Sequence, residues 1–325
     1  GRRRRRFEQT MKDAFQRNPV LWFFGTGTFA ASCLKHLVKN VHFDCIVTSP
    51  PSSGGRGMRN ILSPVETLCE TLHLHVIRSS KVSEEPELLH HLAESPPDCI
   101  LVVDFGQKIL EPFLSAPAWG CLNIHPSLLP SYRGAAPVPR ALLNGDAVTG
   151  VSLFRLVEEM DAGPILFRKE LTVGETASAG EILEILAEKG SELYLLGVKC
   201  LIEGSCKFRD QNSESATYAP KIANKEAECS WVWPSHRLVS TVRAMNPSPG
   251  AYIFIGAKRM KIWEVLHHPS LGRPGEIVDF LDGFPLVGTS DGSVALLCVQ
   301  PEGKKRLSGA EWARGIRLKK GDFLQ

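Results

Sequence analysis

Apolar runs that alternate with amphipathic stretches constrain this chain more than any other feature. "VLWFF" (20–24), "FDCIVTS" (43–49), "LHVI" (74–77), "DCILVVDF" (98–105) and "WGCLNIH" (119–125) read as buried strands. Strands apolar on both faces need cover on both sides, the condition of a parallel sheet between helices. The stretches between them supply the helices. Phe29–Lys39 gathers Ala, Leu and Val on one face, and Glu84–Ala93 reads as a second helix. Ser63-Pro64-Val65-Glu66 marks a helix start, with a hydroxyl N-cap, Pro at the first helical position and Glu at capping-box spacing. "GVSLFRLV" and "ILFRKEL" read as an antiparallel pair, followed by a long helix from about Ser178 to Leu201.

The texture changes near residue 205. The Ser/Asn/Asp-rich stretch 205–220 reads as a linker. A helix over Ser235–Ala244 and five short strands follow: "AYIFIG", "KRMKIWEVL", "GEIVDF", "FPLVGTSDG" and "SVALLCVQP". Short strands with turn residues between them suggest a small barrel. The expected fold class is therefore α/β: a Rossmann-like N-terminal domain with a mostly parallel sheet, then a small OB-like β-barrel domain. The expected division is a disordered tail (1–18), a catalytic domain (19–204), a linker (205–220) and the OB-like domain (221–325). A length of 325 residues suits two domains.

The formal net charge of +3 hides an asymmetry. Residues 7–204 carry −7 and residues 205–325 carry +5, with Arg2–Arg6 making up the rest. A basic C-terminal part points to a polyanionic partner, although a basic face is also simply a solvated one. No apolar run approaches the roughly 18–20 residues that cross a bilayer. No secretory apolar stretch follows the basic N-terminus, and Met11 is a candidate initiator. The nine cysteines include no C-x-x-C. They read as reduced thiols of a cytoplasmic protein, without disulfide framework or zinc site.

"GTGTFA" after the first strand places Gly25 and Gly27 in a G-x-G before a helix. Ala30 stands where a dinucleotide fingerprint needs its third Gly, and Asp44 lies at the start of the second strand rather than its end. The motif reads as a tight strand-to-helix turn, and NAD is not inferred.

Ligands of open α/β sheets lie beyond the carboxyl ends of the strands. Asn123 and His125 stand at such an end, two residues apart and so on one side of an extended chain. An amide donates to a developing oxyanion, and an imidazole donates or shuttles a proton. The alternative is a hydrogen-bonded strand end. In "EEMDAGPIL", Asp161 offers a carboxylate, or serves simply as a turn residue before Gly163-Pro164.

"NIHPSLLPSYRGAAP", "TGVSLF" and "MDAGPIL" together closely resemble the folate-dependent formyltransferase superfamily. "FFGTGTFA", "SPPSSGGRGMRNILSPVE" and "TYAPKIANKEAECSW" extend the resemblance from about residue 20 to the end, to the members that formylate methionyl-tRNA. The resemblance implies transfer of a formyl group from 10-formyltetrahydrofolate to the α-amino group of initiator methionyl-tRNA, with no metal. It implies a catalytic trio of Asn123, His125 and Asp161. It implies folate contacts from Ser127, Leu128, Leu129 and Pro130, and from Phe105 and Gly106 in the loop after "LVVDF". Pro126 supplies no backbone N–H there. The loop "SSGGRGMRN" matches a tRNA-contacting insertion, with Arg56 and Arg59 as its cations; read alone it is a mobile surface loop. In the basic barrel, Lys258, Lys261, Lys304 and Lys305 are phosphate-contact candidates, with Lys221, Lys225, Arg243, Arg259, Lys319 and Lys320. A monomer is expected. The alternatives are formyl transfer to a small amine such as an amino sugar nucleotide, hydrolysis of 10-formyltetrahydrofolate, and an RNA-binding module with an inactive formyltransferase-like domain.

Overall fold

A computed structural model describes residues 18–54 and 59–324. The expected tail lies almost wholly outside these residues, and so does Arg56. In chain order the elements are β1 (Leu21–Gly25), α1 (Thr28–Leu37), β2 (Cys45–Thr48), β3 (Ser52–Gly54), β4 (Arg59–Ile61), α2 (Pro64–Thr71), β5 (Ile77–Arg78), α3 (Pro86–Glu94), β6 (Cys99–Val103) and β7 (Cys121–His125). There follow α4 (Pro137–Asn144), β8 (Val148–Arg155), β9 (Ile165–Thr172), α5 (Ala179–Glu203), α6 (Ser235–Ala244), β10 (Tyr252–Ile255), β11 (Lys258–His268), β12 (Ile277–Leu281), β13 (Phe284–Gly288), β14 (Ser293–Pro301), β15 (Leu307–Ser308) and α7 (Gly309–Gly315).

The chain divides into two compact units, each assembled from separate stretches. The first runs to Gly134 and adds Gly150–Leu171 and Leu183–Tyr218; the second holds Ala135–Thr149, Thr172–Ile182 and the chain from Ala219. The stretch expected as a linker therefore belongs, up to Tyr218, to the first unit.

The first unit is built on a seven-stranded sheet of order β5-β2-β1-β6-β7-β8-β9. The strands that read as apolar on both faces pair in parallel: β5 with β2, β2 with β1, β1 with β6 and β6 with β7. The first reversal comes at β8, which pairs antiparallel with β7. Trp22, Phe24, Val47, Ile100, Val102 and Phe113 form one buried cluster. A large apolar side chain fully withdrawn from water contributes about 1.5–3 kcal/mol. The α2 start behaves partly as expected: Ser63 Oγ accepts from Glu66 N–H at 3.0 Å, with Pro64 opening the helix. The Glu66 carboxylate does not complete a capping box but accepts from Arg78 Nε at 2.8 Å.

The second unit carries an antiparallel sheet of order β10-β11-β14-β13-β12, with β15 on β14. Leu238 and Val242 of α6, Ile262, Leu296, Val299 and Trp312 of α7 share its core. Among the described residues, no helix is long and apolar enough to cross a membrane.

One expectation is corrected. Cys200 and Cys206 form a disulfide, so the cysteines are not all reduced. The six-residue separation joins the last turns of α5 to the loop after it, a contact that spacing alone does not signal.

Candidate active site

The carboxyl edge of the parallel sheet gathers the reactive groups. Asn123 and His125 are alternate residues of β7, which is inserted between β6 and β8: Asn123 is in register with Val102 and Phe154, and His125 with Ser152. The amide of Asn123 makes no hydrogen bond to another described residue and is only partly buried. His125 is buried, and its Nε2 lies 2.8 Å from the carbonyl oxygen of Tyr132. A carbonyl only accepts, so Nε2 carries a proton. That leaves Nδ1 to face Asp161, whose Oδ2 lies 3.8 Å away.

Residues 127–133 are held by a set of hydrogen bonds. Ser127 Oγ donates to Ser131 O at 2.6 Å. Ser152 Oγ donates to Ser127 O at 2.7 Å and accepts from Leu129 N–H at 3.1 Å. Arg168 Nη1 donates to Leu129 O at 2.8 Å. Tyr132 N–H donates to Thr217 Oγ1, and Arg133 N–H to Thr217 O, both at 2.8 Å. Ser127 and Leu129 are fully buried, so they shape the loop from inside. Leu128, Leu129 and Pro130 line a cavity of about 1010 Å³ whose wall also includes Arg168, Cys206 and Gln211, but not Asn123, His125 or Asp161.

Asp161 lies in the connection between β8 and β9, with φ of 53°. That is left-handed backbone, uncommon for a non-glycine residue although Asp enters it more readily than most. Gly134 N–H donates to Asp161 Oδ2 at 2.8 Å. Gln211 Nε2 donates to the carbonyls of Asp161 and Gly163, each at 2.7 Å. Gly163 itself is required by space, since a Cβ there would lie 1.7 Å from Arg155 O.

Phe105 is a core residue, its ring 5.5 Å from that of Phe24, so it supports the loop after β6. Gly106, exposed and with φ of 76°, presents backbone instead. Asp104 occupies the helix start that follows "GTGTFA". Its carboxylate accepts from the N–H groups of Phe29 and Ala30 at the α1 N-terminus. A Cβ on Gly27 would lie 1.9 Å from its Oδ2. The place a phosphate would take at that helix end already holds an anion. Desolvation pushes the Asp104 carboxyl up to about 6, against the lowering effect of those two N–H groups.

In the second unit, the pairing of Met260 with Pro301 and Lys261 with Gln300 brings two basic segments to one end of β11 and β14. Lys258, Lys304 and Lys305 are exposed there. Arg306, absent from the candidates read in the sequence, lies 3.5 Å over the Trp263 ring, with Lys261 Nζ at 5.3 Å. Arg259 stacks on Tyr252 at 4.1 Å. Arg243 is engaged differently, donating to the carbonyls of Ala177 and Gly174. Lys320 pairs with Asp279. Arg59 begins β4.

Comparison with known proteins finds two family matches that are consecutive along the chain. Residues 18–198 match the formyl transferase family, and residues 221–317 match the formyl transferase C-terminal domain. Methionyl-tRNA formyltransferase of Carboxydothermus hydrogenoformans is 35% identical over 306 residues, 93% of this chain and 98% of the relative. That of Streptomyces griseus is 37% identical over 309 residues, 94% and 99%. Among solved structures, HypX from Aquifex aeolicus in complex with tetrahydrofolic acid is similar with a TM-score of 0.63 at 18% identity, covering 95% of this chain and 51% of that one. WlaRD, a sugar 3N-formyl transferase solved with dTDP and 5-N-formyl-THF, has a TM-score of 0.60 at 15% identity, covering 89% and 100%. At these identities the structural likeness concerns the fold.

Proposed function

The chain belongs to the formyl transferase family, and from that premise we propose that it transfers the formyl group of 10-formyltetrahydrofolate to the α-amino group of initiator methionyl-tRNA. The near full-length relatives bear that name. The observation that carries the chemistry is the relation of three groups: an imidazole held through Nε2, a carboxylate 3.8 Å from its Nδ1, and, two residues earlier, an amide without a hydrogen bond among the described residues.

The amine attacks the formyl carbon, and negative charge develops on the formyl oxygen. Asn123 donates to that oxygen through its amide. His125, protonated on Nδ1, supplies the second donor. Asp161, 3.8 Å from Nδ1, relays the proton lost by the amine to the folate nitrogen as its bond to the formyl carbon breaks. Preorganised donors of this kind are each worth about 3–4 kcal/mol in the transition state. The exposed backbone at Gly106 and the loop Ser127–Pro130 frame the folate, Ser127 and Leu129 by shape rather than contact. Residues 19–204 carry the chemistry. The basic end of the C-terminal sheet, with Lys258, Lys261, Lys304 and Lys305, holds tRNA phosphates, and Arg56 and Arg59 are separate candidate tRNA contacts.

The test is formyl transfer from 10-formyltetrahydrofolate to methionyl-tRNA, free methionine, an amino sugar nucleotide and water, assayed side by side. Methionyl-tRNA is the expected acceptor. Faster transfer to the sugar amine or to water would replace this reading.

A further inference from the structure

The segment with the composition of a linker carries a residue that reaches the site. Gln211 uses the full hydrogen-bonding capacity of its side chain. Its Nε2 donates to the carbonyls of Asp161 and Gly163, both at 2.7 Å. Its Oε1 accepts from Arg133 Nε at 3.2 Å and Nη2 at 3.0 Å. Carbonyls only accept and a guanidinium only donates, so a single orientation of the amide satisfies all four bonds.

These bonds close a ring. Arg133, 1% exposed, fixes the Gln211 oxygen. The Gln211 nitrogen fixes the Asp161 backbone, and the Asp161 carboxylate accepts from Gly134, the residue after Arg133. Tyr132, the residue before, accepts from His125. Three consecutive residues thus tie the imidazole, the carboxylate and the Gln211 segment together. The segment is anchored on both sides of Gln211. Arg209 and Ile165 exchange backbone bonds at 2.8 and 2.9 Å, and Thr217 bonds the loop at Pro130, Tyr132 and Arg133. The disulfide Cys200–Cys206 ties its start to α5.

We propose that Gln211 is a positioning residue for formyl transfer, holding Asp161 in its left-handed backbone conformation so that the carboxylate faces His125 Nδ1. The role rests on the formyl-transfer reading and acts through Asp161. Gln211 meets no substrate in this scheme. Arg133 is buried, and although its Nη1 also meets Glu159 Oε1 at 3.4 Å, Gln211 is the acceptor for Nε and Nη2; removing it is costly, and Gln211→Ala alone confounds folding with function. Gln211→Glu separates the two, since it keeps an acceptor for Arg133 but cannot donate to the carbonyls of Asp161 and Gly163.

The experiment measures kcat and KM for both substrates in the full chain for Gln211→Glu, Asp161→Asn and the double variant, with hydrogen exchange at the Gly134 amide. Gln211→Glu is expected to lower kcat by about 10- to 100-fold with KM nearly unchanged, the scale of misplacing a reacting group. Its effect is expected to shrink to less than about 3-fold in the Asp161→Asn background, because residues that act through one another are not additive. Exchange at Gly134 is expected to accelerate. A Gln211→Glu enzyme with wild-type kcat, or one whose loss is fully retained without Asp161, overturns the role. A wild-type chain that transfers no formyl group to methionyl-tRNA sinks the reading of function instead. The Gly134 exchange then decides the positioning by itself, faster exchange in Gln211→Glu supporting it and unchanged exchange overturning it.

Discussion

Nδ1 of His125 stands 3.8 Å from Oδ2 of Asp161, while Nε2 of the same ring is tied to Tyr132 O. The imidazole is therefore oriented from one side and left open to a carboxylate on the other. The carboxylate has its own anchor in Gly134 N–H. Asp161→Asn keeps that acceptor but removes the charge facing Nδ1. It is expected to lower kcat by about 10² or more while the protein stays folded, on the scale of losing general acid–base help. Steady-state kinetics beside a thermal melt check both halves.

Gly163 makes a stability prediction. A Cβ at this position would overlap Arg155 O at 1.7 Å, and a backbone atom gives way only with the strand. Gly163→Ala is expected to destabilise by about 1–3 kcal/mol, the range of overpacking, and to displace Asp161 with it. Denaturant titration and activity should fall together.

Asp104 gives a pH signature. Desolvation raises its carboxyl to about 6 in the folded chain, above the unfolded value of about 3.9. Below pH 4 the group is protonated in both states and contributes nothing. Between about pH 4 and 6 the folded state binds more protons than the unfolded one, so this contribution to stability falls as pH rises. The residue as a whole is exposed, and solvent screens part of the effect, so its direction is the prediction. Asp104→Asn is expected to remove that component from a pH series of denaturant midpoints. Identical pH profiles for the two proteins would contradict it.

The stacking of Arg306 and Lys261 on Trp263 concerns nucleic-acid binding. If this end of the sheet meets phosphates, Lys304→Ala with Lys305→Ala should weaken tRNA binding. It should also reduce the slope of log affinity against log salt by about 1 to 2, as counterion release requires. Filter binding across a salt series provides the check, and a slope unaltered by the substitutions would count against the assignment.

The elements legible in the sequence are those set by period and local chemistry. Apolar runs such as "DCILVVDF" announce β6, and the Ser63-Pro64 start announces α2. Asn123, His125 and Asp161 stand out locally as polar groups at a strand end and in a tight turn, but that pattern leaves a hydrogen-bonded strand end and a turn residue equally open, and their grouping as a trio comes from the family resemblance. What stayed hidden depends on long-range contact. Arg133 is a buried cation, and nothing local distinguishes it from a surface arginine. Gln211 lies in a polar stretch with the composition of a linker, and its partners are 48 to 78 residues away. The Cys200–Cys206 pair has no framework spacing. The second unit also recruits Ala135–Thr149 and Thr172–Ile182, segments that an end-to-end reading assigns to the first domain.

The most direct test of the central claim is a single-turnover measurement with 10-formyltetrahydrofolate and methionyl-tRNA at saturation, comparing wild type with His125→Ala at matched thermal stability. A loss of about 10²- to 10³-fold in the transfer rate, with tRNA affinity unchanged, is the expected result. A folded His125→Ala enzyme that transfers the formyl group at the wild-type rate would contradict it.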